Sequence, residues 1–127
     1  QAMLHSAEII TQGLVDLGVL EGSVAENLEN ESWRHFYMHG LGHFLGLDVH
    51  DVGNYKVEGE DRPLKPGMVI TIEPGVYISQ DSDAPDKYKG IGVRIEDDVV
   101  ITATGVEILT SDVPKEIDEI EALMAKS

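Results

Sequence analysis

Met3, Ala7, Ile10, Leu14 and Leu17 recur at intervals of four, three, four and three, the spacing of one face of an amphipathic helix. Gly18 or Gly22 supplies its stop. The pattern is already running at Met3 with no Ser, Thr, Asp or Asn ahead of it, so the helix reads as cut into rather than begun. Residues 23–28 predict a second short helix, with Ser23 as N-cap and Glu26 at capping-box spacing. Residues 33–38 lead into a glycine- and histidine-rich stretch. Residues 51–67, with Gly53-Asn54, Gly59, Pro63 and Pro66-Gly67, predict a surface loop. Residues 68–72 predict a short buried strand stopped by Pro74-Gly75 and continued by residues 76–78. A polar loop with Pro85 follows over residues 79–90. Residues 91–102 predict a strand bent near Asp97-Asp98, then a turn at Thr104-Gly105 and a last strand over residues 106–109. Ile117, Ile120, Leu123 and Met124 share one side of a C-terminal helix over residues 114–125, with Pro114 near its start.

Composition narrows the function classes. A chain of 127 residues is one domain at most, and 42% hydrophobic residues supply a core. No stretch approaches the roughly 20 apolar residues of a membrane span, and no secretory signal opens the sequence, so no membrane partner is expected. The absence of cysteine excludes disulfides and thiolate metal sites and fits a cytoplasmic protein. The net charge is −15, and the nine basic residues are scattered. A nucleic-acid binder carries a clustered basic footprint, so that class is set aside. Most of the acidity serves solubility; a cation site accounts for part of it.

The chemistry concentrates between His39 and Asp51, where His39, His43 and His50 lie among acidic residues and glycines. Imidazole with carboxylate suits manganese, zinc, cobalt or iron. His39 and His43 would share a face of a helix, but Gly40, Gly42 and Gly46 each weaken one by about 1 kcal/mol, which favours a turn or strand edge. The glutamate of an HExxH zinc site is missing. Histidines bonded to backbone are the competing reading. Glu73 and Glu96 shift the balance, because each interrupts a β-branched run where a buried charge needs a partner. Alternation puts Thr71 and Glu73 on one strand face, and Arg94 and Glu96 on one face opposite Val93 and Ile95. A structural Arg94–glutamate ion pair is the alternative. Nitrogen plus two carboxylates from separate elements is a common way to build a hydrolytic metal centre. His5 and His35 match no functional pattern; Tyr77 and Tyr88 either line the site or pack, and packing is the favoured role.

The stretches His39-Gly-Leu-Gly-His43, Pro66-Gly-Met-Val-Ile-Thr-Ile-Glu73-Pro-Gly and Gly92-Val-Arg94-Ile-Glu96-Asp-Asp resemble the motifs of the pita-bread metallopeptidases, the group of methionine aminopeptidase, prolidase and aminopeptidase P. Asp48-Val-His50-Asp51-Val-Gly resembles the proline-directed branch. Asp83-Ala-Pro-Asp-Lys-Tyr-Lys-Gly-Ile-Gly-Val-Arg94 and Glu119-Ile-Glu-Ala-Leu-Met124 are most similar to its bacterial aminopeptidase P members. The resemblance is strong over residues 33–124 and weak over the leading helices.

The resemblance implies an α+β fold: the C-terminal half of a pita-bread domain, a curved antiparallel sheet with helices on its outer face. It implies two divalent ions held by five ligands, of which His43, Glu73 and Glu96 carry over, Glu96 bridging both. The other two are upstream aspartates, and Asp16 matches no motif, so residues 1–127 read as the second half of a catalytic domain. Manganese is the expected metal, with zinc and cobalt as alternatives. The implied reaction is hydrolysis of an N-terminal Xaa-Pro bond by a hydroxide held between the ions. Glu73 shuttles the proton, His50 hydrogen-bonds the substrate carbonyl, His39 orients the proline side and Arg94 supports the carboxylates. The expected partner is a peptide with proline in second position, and the isolated chain is expected to be inactive and to form a homodimer. Prolidase activity on dipeptides, or a metal-free binding role, are the alternatives.

Overall fold

The computed structural model describes residues 1–126. In chain order it contains helix α1 (Ala2–Asp16), helix α2 (Val24–Glu29), a 3-10 turn (Ser32–His35), strands β1 (Lys56–Val57), β2 (Glu60–Asp61), β3 (Val69–Ile72) and β4 (Gly75–Tyr77), a second 3-10 turn (Asp86–Tyr88), strands β5 (Gly92–Arg94), β6 (Asp97–Ile101) and β7 (Val106–Ile108), and helix α3 (Ile117–Met124). They fall into two compact units, residues 1–41 with 73–94 and, among the described residues, 42–72 with 95–126.

The first unit holds α1, α2, both 3-10 turns and the antiparallel pair β4–β5. Ala7 and Leu14 bring α1 to a core completed by Trp33, Phe36, Tyr37, Ile78 and Ala84, with Met3 and Ile10 packed against it. Leu17, the last residue of the expected stripe, is half exposed, because α1 ends there. Gly18 takes a positive φ of 68°; its N–H bonds Val15 O at 2.9 Å and Val19 N–H bonds Leu14 O at 2.8 Å, a Schellman ending that glycine permits without a Cβ penalty. α2 opens on the expected capping box: Ser23 Oγ accepts from Glu26 N–H at 3.2 Å and Glu26 Oε2 accepts from Ser23 N–H at 2.8 Å. Tyr77 N–H donates to Phe36 O at 2.8 Å, tying β4 to the end of the first 3-10 turn.

The second unit contains the two-residue ribbon β1–β2, the antiparallel sheet β3-β6-β7 and α3. The ribbon breaks the expected loop only briefly. Val99, at the centre of β6, is buried. An added edge of backbone runs beside β3: Phe44 bridges Ile70, Leu45 N–H donates to Val69 O at 3.1 Å, and Thr71 N–H donates to His43 O at 2.9 Å. α3 starts three residues beyond Pro114, with Glu116 as N-cap. Its apolar residues Ile117, Leu123 and Met124 are exposed.

Pairing is spread over three short antiparallel sheets. The strand expected over residues 91–102 is two strands, and the break falls at Ile95-Glu96, just before Asp97. Val93 and Ile95, on the apolar face of that stretch, are about half exposed.

Candidate metal centre

His43 is placed by backbone. Its N–H donates to Thr71 Oγ1 at 3.0 Å and its carbonyl accepts from Thr71 N–H at 2.9 Å. Thr71 is itself buried. This close approach explains Gly42: a Cβ there would sit 1.8 Å from Thr71 O. The segment is non-helical, as the three glycines predict. His43 Nδ1 lies 3.0 Å from Phe44 O. With Nδ1 as donor to that carbonyl, the tautomer puts the lone pair on Nε2, the usual arrangement of a metal-binding imidazole. Phe44 is fixed in turn, its N–H donating to Tyr55 hydroxyl at 3.1 Å and its ring lying 4.9 Å from that of Tyr55. The His50 ring lies 4.3 Å from the His43 ring, tilted by 57°, so the DVHD loop returns His50 beside His43.

Glu73 is joined to Ile72, the last residue of β3, and Glu96 precedes Asp97, the first residue of β6. Ile72 and Asp97 are ladder partners. Within the second unit, ligand atoms of His43 and Glu96 lie within 4.8 Å of each other. An imidazole and a carboxylate at that separation suit a divalent cation of intermediate hardness, and the Phe44 carbonyl behind His43 is the outer partner such a ligand requires.

Buried Glu73 carries an ion pair with Arg94, whose Nη1 lies 3.2 Å from Glu73 Oε2. Arg94 Nε donates to the Tyr77 hydroxyl at 2.7 Å. Tyr77 meets His39 edge-on at 5.6 Å between ring centroids, and Tyr37 meets His39 from another side at 5.0 Å. His39 Nδ1 lies 2.8 Å from Gly40 O, while its buried Nε2 has no hydrogen-bond partner. Tyr77, for which packing was favoured over lining the site, therefore joins the arginine to the histidine. Its signal is alternation: Tyr77 and Gly75 share a face of β4, and Gly75 pairs with Arg94. Gly75 also leaves room, since a Cβ there would lie 2.8 Å from the Tyr77 hydroxyl oxygen.

Beside Glu96, Asp97 accepts from Thr110 Oγ1 at 2.6 Å and from Lys115 Nζ at 2.9 Å. The Thr110 hydroxyl, followed by the Lys115 ammonium, holds the Asp97 carboxyl below the usual aspartate range. Neither Thr110 nor Lys115 stood out in the sequence, because single polar residues in a connecting segment carry no pattern.

The chain is 62% identical over 98% of its length to an Xaa-Pro aminopeptidase of Haemophilus influenzae, and covers 29% of that relative. It is similar to the solved structure of Pseudomonas aeruginosa aminopeptidase PepP, with TM-score 0.95 and 56% identity over 99% of this chain and 29% of that one. It is also similar to a zinc-substituted Escherichia coli aminopeptidase P in complex with product, with TM-score 0.89 and 55% identity over 94% of this chain and 27% of that one. The mixed helix and antiparallel-sheet architecture expected from the sequence is that of these structures. Residues 1–103 match the profile of Metallopeptidase family M24, and the chain belongs to that family.

Proposed function

We propose that residues 1–127 form the second half of the catalytic domain of an Xaa-Pro aminopeptidase and contribute His43, Glu73 and Glu96 to a site for two divalent ions. The observation that carries this reading is the approach of the His43 imidazole and the Glu96 carboxylate to within 4.8 Å in the second unit; Glu73 joins them on the strength of the family's motif. Two further ligands come from sequence outside these residues. When bound, the ions lower the pKa of a water and polarise the scissile carbonyl. Manganese is the proposed metal, and zinc or cobalt fit the same donors.

The chain's own residues do the remaining work. Glu73 takes the proton of the attacking water and returns it to the leaving proline nitrogen. Arg94 orients Glu73 through their ion pair between these transfers. His50 donates to the substrate carbonyl oxygen as negative charge builds there. His39, held between Tyr37 and Tyr77, orients the proline side of a peptide with proline in second position. The cytoplasm is the proposed site of action, in keeping with the bacterial aminopeptidase relatives.

The test is hydrolysis of an Xaa-Pro tripeptide by the complete protein, with and without chelation. Activity lost with chelator and restored by manganese supports the reading; activity of His43→Ala equal to the parent, or indifference to chelation, overturns it. Cleavage confined to Xaa-Pro dipeptides would assign a prolidase instead.

We also propose that residues 1–127 by themselves form a twofold dimer. Support comes from edge strand β7, where Val106 and Ile108 are exposed, and from the exposed apolar residues of α3. Such surfaces favour pairing, and twofold closure is the commonest solution. A monodisperse monomer in light scattering at micromolar concentration would overturn it.

A further inference from the structure

Strand β6 is central in its sheet, yet its first residue is supported differently on its two sides. Toward β3, Asp97 pairs with Ile72. Toward β7, the ladder stops at Val99 and Ile108. One more backbone bond follows, Leu109 N–H to Asp98 O at 2.8 Å. Beyond it, side chains replace the ladder. Thr110 Oγ1 accepts from Asp98 N–H at 3.1 Å and donates to Asp97 Oδ1 at 2.6 Å. Lys115 Nζ donates to the same Asp97 oxygen at 2.9 Å and to Thr110 O at 3.2 Å.

These bonds form a closed clamp. It fixes both the backbone and the side chain at the end of β6, one peptide bond from Glu96. Lys115 and Asp97 are each only about a quarter exposed or less in their side chains, so water competes weakly for the pair. A carboxylate that ligates two ions must be held to a few tenths of an ångström. Glu96 is exposed and lies outside the strands on both sides. The clamp on its neighbour is the support that reaches it through the backbone.

We propose that Lys115, Asp97 and Thr110 are positioning residues for the metal ligand Glu96, acting through the start of β6 rather than by touching the ions. This rests on the reading of Glu96 as a ligand. The salt bridge is therefore not a device for global stability, and its loss appears in metal affinity before it appears in folding.

The experiment titrates manganese(II) alone into the metal-free complete protein by calorimetry, with thermal denaturation of each metal-free variant alongside. Lys115→Met keeps the stem and removes the charge; Asp97→Asn keeps the shape. Each is expected to weaken manganese binding about tenfold or more, the usual cost of losing an outer partner of a ligand, with metal-free melting close to the parent. Lys115→Arg restores a cation and is expected to recover most of the affinity. Glu96→Gln is the control for the underlying assignment. If it binds manganese like the parent, the ligand reading fails. If it weakens binding while Lys115→Met and Asp97→Asn do not, the clamp proposal alone fails. If those two variants melt far below the parent and Lys115→Arg recovers melting without affinity, the clamp is structural and the proposal is overturned. If Lys115→Met is too unstable to titrate, Thr110→Ser, which keeps the hydroxyl, and Thr110→Val, which removes it, decide the matter: equal affinities overturn the proposal.

Discussion

Arg94 and Glu73 form an ion pair, 3.2 Å apart, in which the carboxylate is largely buried and the arginine partly exposed. The exposed partner limits what the pair adds to stability. Its value lies in orientation, because the same guanidinium holds the Tyr77 hydroxyl at 2.7 Å and so cannot swing away from Glu73 without breaking a second bond.

Arg94→Ala in the complete protein is therefore expected to lower kcat about 10–100-fold with a small change in melting temperature. Arg94→Lys should recover little, because a lysine offers one point charge where two differently placed partners need a fork. Steady-state kinetics on an Xaa-Pro tripeptide checks both; recovery by lysine to near parental kcat would contradict the two-partner geometry.

Gly42→Ala is expected to be costly although the residue is exposed. The added carbon would meet the Thr71 carbonyl oxygen at 1.8 Å, and backbone on both sides resists moving. The expected loss is about 1–3 kcal/mol, the range for overpacking, together with weaker metal binding because His43 is the next residue. Denaturant midpoints and a metal titration of the same variant measure the two effects.

Ser23→Ala removes the capping box of α2 and is expected to cost about 1 kcal/mol at neutral pH. Hydrogen bonds from the Ser23 side chain and backbone hold the Glu26 carboxyl below its ordinary value of about 4.5. A depressed carboxylate contributes stability above that ordinary value, and the contribution is lost as pH falls through the lower folded value. The gap between parent and variant should therefore be full at pH 7 and shrink in acid. Denaturation midpoints at pH 7 and pH 3 test this; a gap that widens in acid would refute it.

Residues 1–127 alone are expected to hydrolyse Xaa-Pro peptides negligibly, even with added manganese. Three ligands retain one ion weakly and do not fix a second at catalytic distance. A discontinuous assay with purified chain at micromolar concentration settles the point, and turnover comparable to that of the complete protein would sink it.

Much of the architecture was legible from local pattern. The stripe on α1, the capping box at Ser23 and the turn at Thr104-Gly105 are encoded by neighbouring residues, and each forms where expected. The three glycines around His43 correctly argued against a helix. What failed was long-range. Alternation gave Val93 and Ile95 an apolar face but says nothing of its burial, which depends on what packs against the strand, and β5 is exposed here. The break in the long strand fell at Ile95-Glu96 and not at the two aspartates, because Asp97 pairs with Ile72 and is anchored by Lys115. The roles of Tyr77, Thr110 and Lys115 depend on partners 13 to 18 residues away. No local period reports such pairs.

Each compact unit is assembled from two separated stretches, 1–41 with 73–94 and, among the described residues, 42–72 with 95–126. The interleaving has a kinetic consequence. During synthesis the first unit cannot close until residue 94 has emerged, and by then the whole of residues 42–72 waits without its partner strand β6. Neither unit can finish early, so folding is governed by non-local closure and should be slow for a chain of this length. The same threading means that no single cut releases an intact unit: every cleavage product carries an incomplete one, its apolar positions uncovered, and quality-control proteases would recognise both pieces.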